Sequence, residues 1–437
     1  MENKRVVLLV IFSFFTLFTF CVEASLLTSN YLGGAYDELL PTIVKGRPLV
    51  FSGKARWEYD DNIYLDEDNE VSSWVLSVEP KVDYRKLTDA SLFQLSYQFS
   101  YRWFENREED PEDLSHDISA IFNHMFSESF EIRLRDEYRH REDQVSIEQQ
   151  VTDVEQGTPA TTERLRRDIN ETYKRNDFQA SGIYKLSERF NIIGSYTNFW
   201  LDYEDENFSI NNDRIENALG ARLEYIWKPQ TSFSLGYQYK DVDYDEEINK
   251  VDSITHQYYL GANHIFSPAF SGNLSLGWMD RTYDPYTTTD EEGNEVVIED
   301  KNETSPYIDV SIASQISEML VSSVGYRYSI VETDQSLFLS QQSQTFYLSV
   351  TNKFSERFSV RFNGLMSFGN FDIDVARYPT APENMSEDVV QFGLVFRYQL
   401  KEAWFAEAGW RYTDVDSDFP NNSYERNRTF IGLNAIF

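Results

Sequence analysis

A short polar turn between aromatic or aliphatic residues recurs along the chain and constrains its fold more than any other feature. The copies occupy residues 87–91, 126–130, 186–190, 227–231, 266–270, 316–320, 354–358 and 400–404. A polar interruption of this length between apolar residues is typical of a tight β-hairpin. Eight copies therefore predict eight hairpins.

The segments beside these turns alternate apolar and polar residues over lengths of roughly ten residues, enough to cross a membrane as a tilted strand. After the first turn, one face carries Phe93, Leu95, Tyr97, Phe99, Tyr101 and Trp103, and the other carries Gln94, Ser96, Gln98, Ser100 and Arg102. Such alternation predicts strands with one face toward lipid and the other toward water.

Long polar connections rich in charge, Pro and Asn alternate with the short turns. They cover residues 61–68, 105–113, 143–167, 205–214, 245–252, 287–303, 334–343, 379–388 and 416–426. Short turns on one side and long loops on the other are typical of bacterial outer-membrane barrels. The sequence therefore predicts an all-β, antiparallel, up-and-down transmembrane barrel of about 18 strands, with 16 as the alternative. A β-propeller is disfavoured because each repeat has two long strands instead of four short ones.

The first residues predict export. Lys4 and Arg5 precede an apolar run over 6–20, and small residues reach Ala24, so residues 1–24 are predicted to be a cleaved signal peptide. Lipidation of Cys21 is disfavoured because Phe20 is not small, and the single cysteine is removed with the signal. We expect residues 25–50 to form a periplasmic lead-in segment and residues 51–437 to form the barrel.

Composition narrows the class of protein further. No later stretch approaches the ~20 apolar residues of a membrane helix, yet 28 Tyr and 32 Phe occur with a mean hydropathy of −0.51. A net charge of −34 disfavours nucleic acid as a partner. The predicted location is the outer membrane of a Gram-negative bacterium, where outer-membrane lipid, lipopolysaccharide and the barrel-assembly machinery are the expected partners.

Two stretches at the start of the barrel resemble a known family. Residues 57–64, WEYDDNIY, and residues 74–80, WVLSVEP, are similar to the opening strands of the putative β-barrel porin family associated with exopolysaccharide loci. The resemblance implies an outer-membrane barrel linked to secretion or anchoring of polysaccharide. It implies no catalytic residues.

The last strand ends on an aromatic residue. Ile431, Leu433, Ala435 and Phe437 alternate to the end of the sequence, and a terminal Phe resembles the signal that the barrel-assembly machinery reads. Gly432 and Phe437 are therefore the candidate assembly-signal residues. Phe430 departs from the family pattern, which prefers a polar residue at that position.

Alternation also predicts which charged residues line the lumen. The pore-lining candidates are Arg56, Arg102, Arg133, Arg222, Arg327, Arg361, Arg397, Arg411, Glu131, Glu224 and Glu407. They could create a field that selects anionic solutes, or form a salt-bridge lattice that fills the barrel. Pairing depends on strand register, so both interpretations stay open. Inward-facing aromatic rings that could stack on sugars are Phe104, Tyr259, Tyr347 and Phe405.

Enzymatic and metal chemistry lack support. The histidines show neither an HExxH spacing nor a partner in a GxSxG motif. Residues 241–245 and 414–418 alternate carboxylates but lack the Gly and distal Glu of an EF-hand. The predicted function is a porin-like channel associated with exopolysaccharide secretion, with acidic polysaccharide as a partner and no cofactor. The alternative is a non-conducting barrel that anchors surface polysaccharide or a partner protein.

Overall fold

The computed structural model describes residues 47–108, 110–141, 172–205, 212–245, 250–289, 295–298, 301–317, 319–333, 338–373, 385–419 and 422–437. The predicted signal peptide and residues 25–46 of the lead-in lie outside these ranges. In the ranges just given, no helix is long and apolar enough to cross a membrane.

Eighteen strands form one antiparallel sheet. They are β1 (Leu49–Asp60), β2 (Ser73–Leu87), β3 (Ser91–Phe104), β4 (Glu112–Ser127), β5 (Phe130–Arg141), β6 (Tyr173–Lys185), β7 (Phe190–Tyr203), β8 (Arg214–Lys228), β9 (Thr231–Tyr244), β10 (Ser253–Ser267), β11 (Phe270–Tyr283), β14 (Asn302–Ser317), β15 (Leu320–Val331), β16 (Phe338–Lys353), β17 (Phe358–Ile373), β18 (Ser386–Lys401), β19 (Trp404–Ser417) and β20 (Tyr424–Ile436). A separate hairpin, β12 (Tyr286–Thr289) and β13 (Glu295–Ile298), lies in the connection between β11 and β14.

Each strand of the sheet pairs with its neighbours in sequence, and β1 pairs with β20, which closes the sheet into a barrel. The predicted count of eighteen is confirmed over the alternative of sixteen. β1 begins at Leu49, slightly before the predicted start at Phe51.

All eight predicted turns connect consecutive barrel strands. Their recurring serine has a structural role, because its hydroxyl accepts a backbone N–H from within the turn. Ser317 Oγ accepts hydrogen bonds from the amides of Met319 and Leu320, both at 3.1 Å. Ser355 Oγ accepts one from Phe358 N at 3.1 Å. The serine-containing turns therefore satisfy some of their own backbone amides.

The outer surface of the barrel carries the apolar face of each strand. Exposed outward residues include Phe93, Leu95, Tyr97, Leu223, Leu235, Leu260, Leu276, Phe396, Trp404 and Trp410. An apolar band with aromatic residues at its edges is the surface that contacts lipid in transmembrane barrels. We call the end of the barrel with the eight short turns the turn end and the opposite end the loop end. By the asymmetry of bacterial barrels, we expect the loop end to face the exterior of the cell.

This orientation predicts which introduced cysteines are accessible from outside. Glu128, Glu188 and Glu356 lie in the short turns, whereas Asp68 is exposed in the loop between β1 and β2. With Cys21 changed to Ala, a membrane-impermeant thiol reagent on intact cells should label Asp68→Cys. It should not label Glu128→Cys, Glu188→Cys or Glu356→Cys until the cells are lysed. Labelling of the turn cysteines on intact cells would contradict this orientation.

Candidate functional site in the lumen

All eleven pore-lining candidates lie on the inward face of their strands, opposite the exposed apolar residues. Their burial depends on their height in the barrel. On β5, Glu131, Arg133 and Arg135 are half-buried toward the turn end, whereas Glu137 and Arg139 are buried toward the loop end. The inward faces of β2 and β7 follow the same gradient. The lumen is therefore packed near the loop end and more open near the turn end.

Ion pairs between buried side chains fill the loop-end half. Arg139, which is fully buried, donates to Glu137 at 2.5 Å, and Arg135 donates to the same carboxylate at 3.0 Å. Arg214 pairs with Glu216 at 3.0 Å. A guanidinium with several donors satisfies a buried carboxylate better than an ammonium group can, which explains the preference for Arg in this lattice.

A carboxylate from outside the strands joins this lattice. Glu332 directly follows β15 and is 2% exposed. It accepts hydrogen bonds from Arg281 at 2.6 Å, Tyr244 Oη at 3.1 Å and Lys240 at 3.3 Å, on the more distant strands β11 and β9. The chain after β15 therefore bends into the mouth of the barrel and is fixed there by buried charges.

The ionised state of Glu332 follows from these contacts. Burial raises the pKa of its carboxyl group, but the charges of Arg281 and Lys240 outweigh burial and bring the pKa to about 2. Beside it, Lys250 Nζ donates to the carbonyl oxygen of Thr333 at 2.6 Å. Residues 332–333, which we call the inward segment, therefore stay anionic at neutral pH and are held both by the contacts of Glu332 and by Lys250.

The loop after β1 narrows the mouth from another direction. Ile63 packs with Val75 and Phe104, and Leu65 packs against the cluster of Val389, Val415 and Tyr424 on β18, β19 and β20. The Asn62 amide holds the loop by donating to the carbonyl oxygens of Asp66 and Glu425, at 2.8 and 3.0 Å. Two separate chain segments thus restrict the loop end.

Most of the predicted pore-lining cations have a carboxylate partner. The pairs are Arg133 with Glu131 at 2.6 Å, Arg56 with Glu407 at 3.4 Å, Arg397 with Glu407 at 3.8 Å, Arg102 with Glu58 at 3.6 Å, Arg411 with Glu58 at 3.4 Å, and Arg327 with Asp309. Glu58 and Glu407 are each shared by two arginines. Each of these two carboxylates therefore serves two cations, although Arg102 also lies 4.0 Å from Asp113.

Two candidates differ from the rest. Arg222 and Arg361 have no carboxylate within the 4.0 Å of an ion pair among the residues that the structure describes. Arg361 donates only to Thr351 Oγ1, at 3.3 Å. Glu224, two residues from Arg222, instead accepts from Asn191 at 2.8 Å and Ser232 at 2.9 Å. Both interpretations of the lumen thus have a structural basis, since a lattice forms but leaves positive charge in excess at specific places.

The four inward aromatic rings pack against the wall. The guanidinium carbons of Arg107 and Arg102 lie 4.3 and 4.9 Å from the ring centroid of Phe104. Tyr259 lies across Gly236, where an added Cβ would come within 2.1 Å of its ring. Glycine is required there by close approach of the ring. Sugar stacking on these rings stays a prediction.

The buried cluster around Glu332 was missed by sequence reasoning. Its wall residues, Lys240, Arg281 and Glu216, continue the inward periodicity to the strand ends, which is the signal that could have identified them. Nothing in the sequence places Glu332 among them. Across the described ranges, no group of three or more His, Cys, Asp or Glu residues could hold a metal ion.

The family described as Putative beta-barrel porin 2 matches residues 52–437. No curated protein matches the chain. Among solved structures, OccK2 (OpdF) of Pseudomonas aeruginosa in complex with glucuronate is similar at 10% identity over 89% of this chain and 98% of its own, with a TM-score of 0.45. A BenF-like porin from Pseudomonas fluorescens Pf-5 is similar at 12% identity over 90% and 99%, with a TM-score of 0.46. Because the family match spans the closed barrel from β1 to β20, this chain belongs to the putative β-barrel porin 2 family and is a porin-like β-barrel of the outer membrane.

Proposed function

We propose that this porin-like channel favours anionic solutes and is associated with export of acidic exopolysaccharide. The observation that supports this proposal is the excess of partly exposed cations in the turn-end half of the lumen. There Arg56 and Arg397 share Glu407, and Arg361 has no ion pair with any residue that the structure describes. In this proposal the protein itself is exported from the cytoplasm with residues 1–24 as a cleaved signal peptide.

The distribution of charge supports this direction of selectivity. The whole chain carries a net charge of −34, yet lumen positions on β17, β18 and β19 carry Arg361, Arg397 and Arg411. A cleft with charge of one sign and walls of low dielectric concentrates ions of the opposite sign. Rings of Arg and Lys select anions in other pores in the same way. A carboxylate-bearing polysaccharide would be favoured on the same grounds.

A second candidate is a non-conducting barrel that anchors surface polysaccharide or a partner protein. It is favoured by the packed loop end, where Arg139, Arg214 and Arg281 are almost completely buried and Glu332 bends inward. A lattice of this kind stiffens the wall but obstructs flow. The two candidates differ in whether ions pass.

Bilayer recording separates the two. Purified protein in planar bilayers should show discrete conductance steps, and a KCl gradient should give a reversal potential of the sign for anion preference. A strain without the protein should retain less acidic polysaccharide at its surface. Anion-selective conductance with unchanged polysaccharide would remove export from the proposal. Loss of surface polysaccharide without conductance would favour the anchoring barrel.

A further inference from the structure

We propose that Arg361, Arg397 and Phe405 form a binding site for the carboxylate group of an acidic sugar at the turn end of the lumen. We call these three residues the arginine site. The inference rests on the proposed function, since it names the ligand class that the channel would take. It follows from register, charge and unsatisfied hydrogen-bond donors.

Strand register brings the three residues together. Arg397 on β18 faces Glu407 on β19, and Phe405 lies one inward position from Glu407 toward the turn. On the other side, Arg397 pairs in register with Ser359, so Arg361 is its diagonal neighbour on β17. Diagonal positions on adjacent antiparallel strands are within reach of two long side chains. Two guanidinium groups therefore occupy one patch of the wall.

Glu407 neutralises this patch only in part. Its carboxylate is 3.4 Å from Arg56 Nη2 and 3.5 Å from Asn434 Nδ2, whereas Arg397 Nε is 3.8 Å away, beyond a hydrogen bond. Within the described ranges, Arg361 has only the neutral acceptor Thr351. The site thus retains positive charge.

Arg397 also lacks acceptors for part of its guanidinium. Its Nε and Nη2 atoms are buried and have no hydrogen-bond partner in the part of the chain that the structure describes. Donors in this state are costly unless an acceptor satisfies them. A planar carboxylate can accept hydrogen bonds from two guanidinium groups at once, and Arg361 and Arg397 present two such groups at diagonal positions. The ligand class that fits this pair of cations is therefore an anion with two coplanar oxygens.

Phe405 holds this guanidinium group in place. Its ring centroid is 3.9 Å from Arg397 Cζ, and its side chain is buried. Cation–π contact fixes the plane of the guanidinium against the wall and reduces the freedom lost on binding. Arg361 could then contact a second oxygen of the ligand. A carboxylate on a polar ring, as in a uronic acid, supplies both groups.

Three other lumen arginines, Arg327, Arg133 and Arg222, do not offer the same site. Arg327 donates through Nε and Nη2 to Asp309, and Arg133 donates through the same atoms to Glu131. In those pairs the wall already supplies the carboxylate. Among the described residues, Arg222 resembles Arg361 in having no ion pair, but unlike Arg397 it has no aromatic ring at cation–π distance. It therefore serves as a matched control for lumen charge alone.

The test is interruption of single-channel current by digalacturonate, with maltose as the neutral control. Wild-type protein should show concentration-dependent block by digalacturonate and none by maltose. The Arg361→Gln/Arg397→Gln variant should need a digalacturonate concentration at least about tenfold higher to block the same fraction of the current. Arg222→Gln should lower anion selectivity but keep the block. Heat-modifiable mobility on gels verifies that each variant folds.

Binding is measured separately by calorimetry on detergent-solubilised protein, so that a barrel without conductance still tests the site. Binding that is lost in the double variant supports the arginine site even if the channel function fails. Equal binding by wild-type and double-variant protein would overturn it. Equal block by inorganic phosphate and digalacturonate would overturn the carboxylate class. Arg397→Lys should keep ion selectivity but weaken digalacturonate binding, because an ammonium group cannot form the planar pair.

Discussion

Replacing Glu332 with glutamine should release the inward segment from the mouth of the barrel, raise single-channel conductance and lower stability. The substitution leaves the buried cations Arg281 and Lys240 without the carboxylate that they share. Removing one partner of a buried ion pair typically costs about 3–5 kcal/mol. The temperature at which the folded band converts to the unfolded band on gels should therefore fall, and conductance should be compared in the same preparation.

The same variant should remove a specific pH dependence. The carboxyl pKa of Glu332 is lowered from 4.5 to about 2, so its ionised form is favoured in the folded protein. Its stabilisation should be complete above pH 4.5 and should be lost as the pH falls through about 2. Wild-type and Glu332→Gln stabilities should converge over this interval.

Glu204→Gln provides the control for Glu332. Glu204 pairs with Lys174 at 2.9 Å, but its side chain is 45% exposed. Lys174 lowers the pKa of this carboxyl too, although an exposed pair contributes little to stability. Its loss should leave conductance and the gel transition almost unchanged. If Glu332→Gln behaves like Glu204→Gln, the inward segment is held by contacts other than this carboxylate.

The barrel itself could be predicted from sequence because side chains along a strand alternate between the two faces of the sheet, with a period of two residues. Once Phe93 and Leu95 are assigned to the lipid face, Ser96 and Arg102 must face the lumen, since a shift of one residue would reverse every side chain. The recurring turns then fix the number of strands. Inward placement of the eleven charged candidates follows from the same periodicity.

Pairing within the lumen could not be predicted in this way. Whether Arg361 is unpaired and Arg327 neutralised depends on which residues of adjacent strands face each other. Arg56 contacts Glu407 two strands away by passing the intervening β20. The inward path of the chain at Glu332 depends on tertiary contacts of a connection without periodicity. Sequence therefore identified which residues line the lumen but could not show which of their charges are paired.

The closing seam between β1 and β20 gives the two candidate assembly residues different roles. Gly432 lies in register between Glu407 on β19 and Arg56 on β1. A Cβ at Gly432 would lie 2.7 Å from the backbone oxygen of Ala55 and 2.8 Å from Arg56 Cγ. Absence of a side chain thus lets Arg56 cross the seam. Phe437 instead exchanges backbone hydrogen bonds with Phe51, at 2.7 and 3.0 Å, and its ring meets Trp404 edge-on.

These roles predict different outcomes for refolding of purified protein into lipid without assembly machinery. Gly432→Leu should fail to form the heat-modifiable barrel even there, because overpacking against the backbone of β1 costs roughly 3 kcal/mol or more and displaces Arg56. Gly194→Leu is the matched control, since nothing lies within 4 Å of a Cβ at that outward position. Deletion of Phe437 should leave refolding largely intact but prevent accumulation in the outer membrane of cells. Normal refolding of Gly432→Leu with failure only in cells would instead make Gly432 part of the recognised signal, and equal failure of the Phe437 deletion in both settings would make its contacts structural.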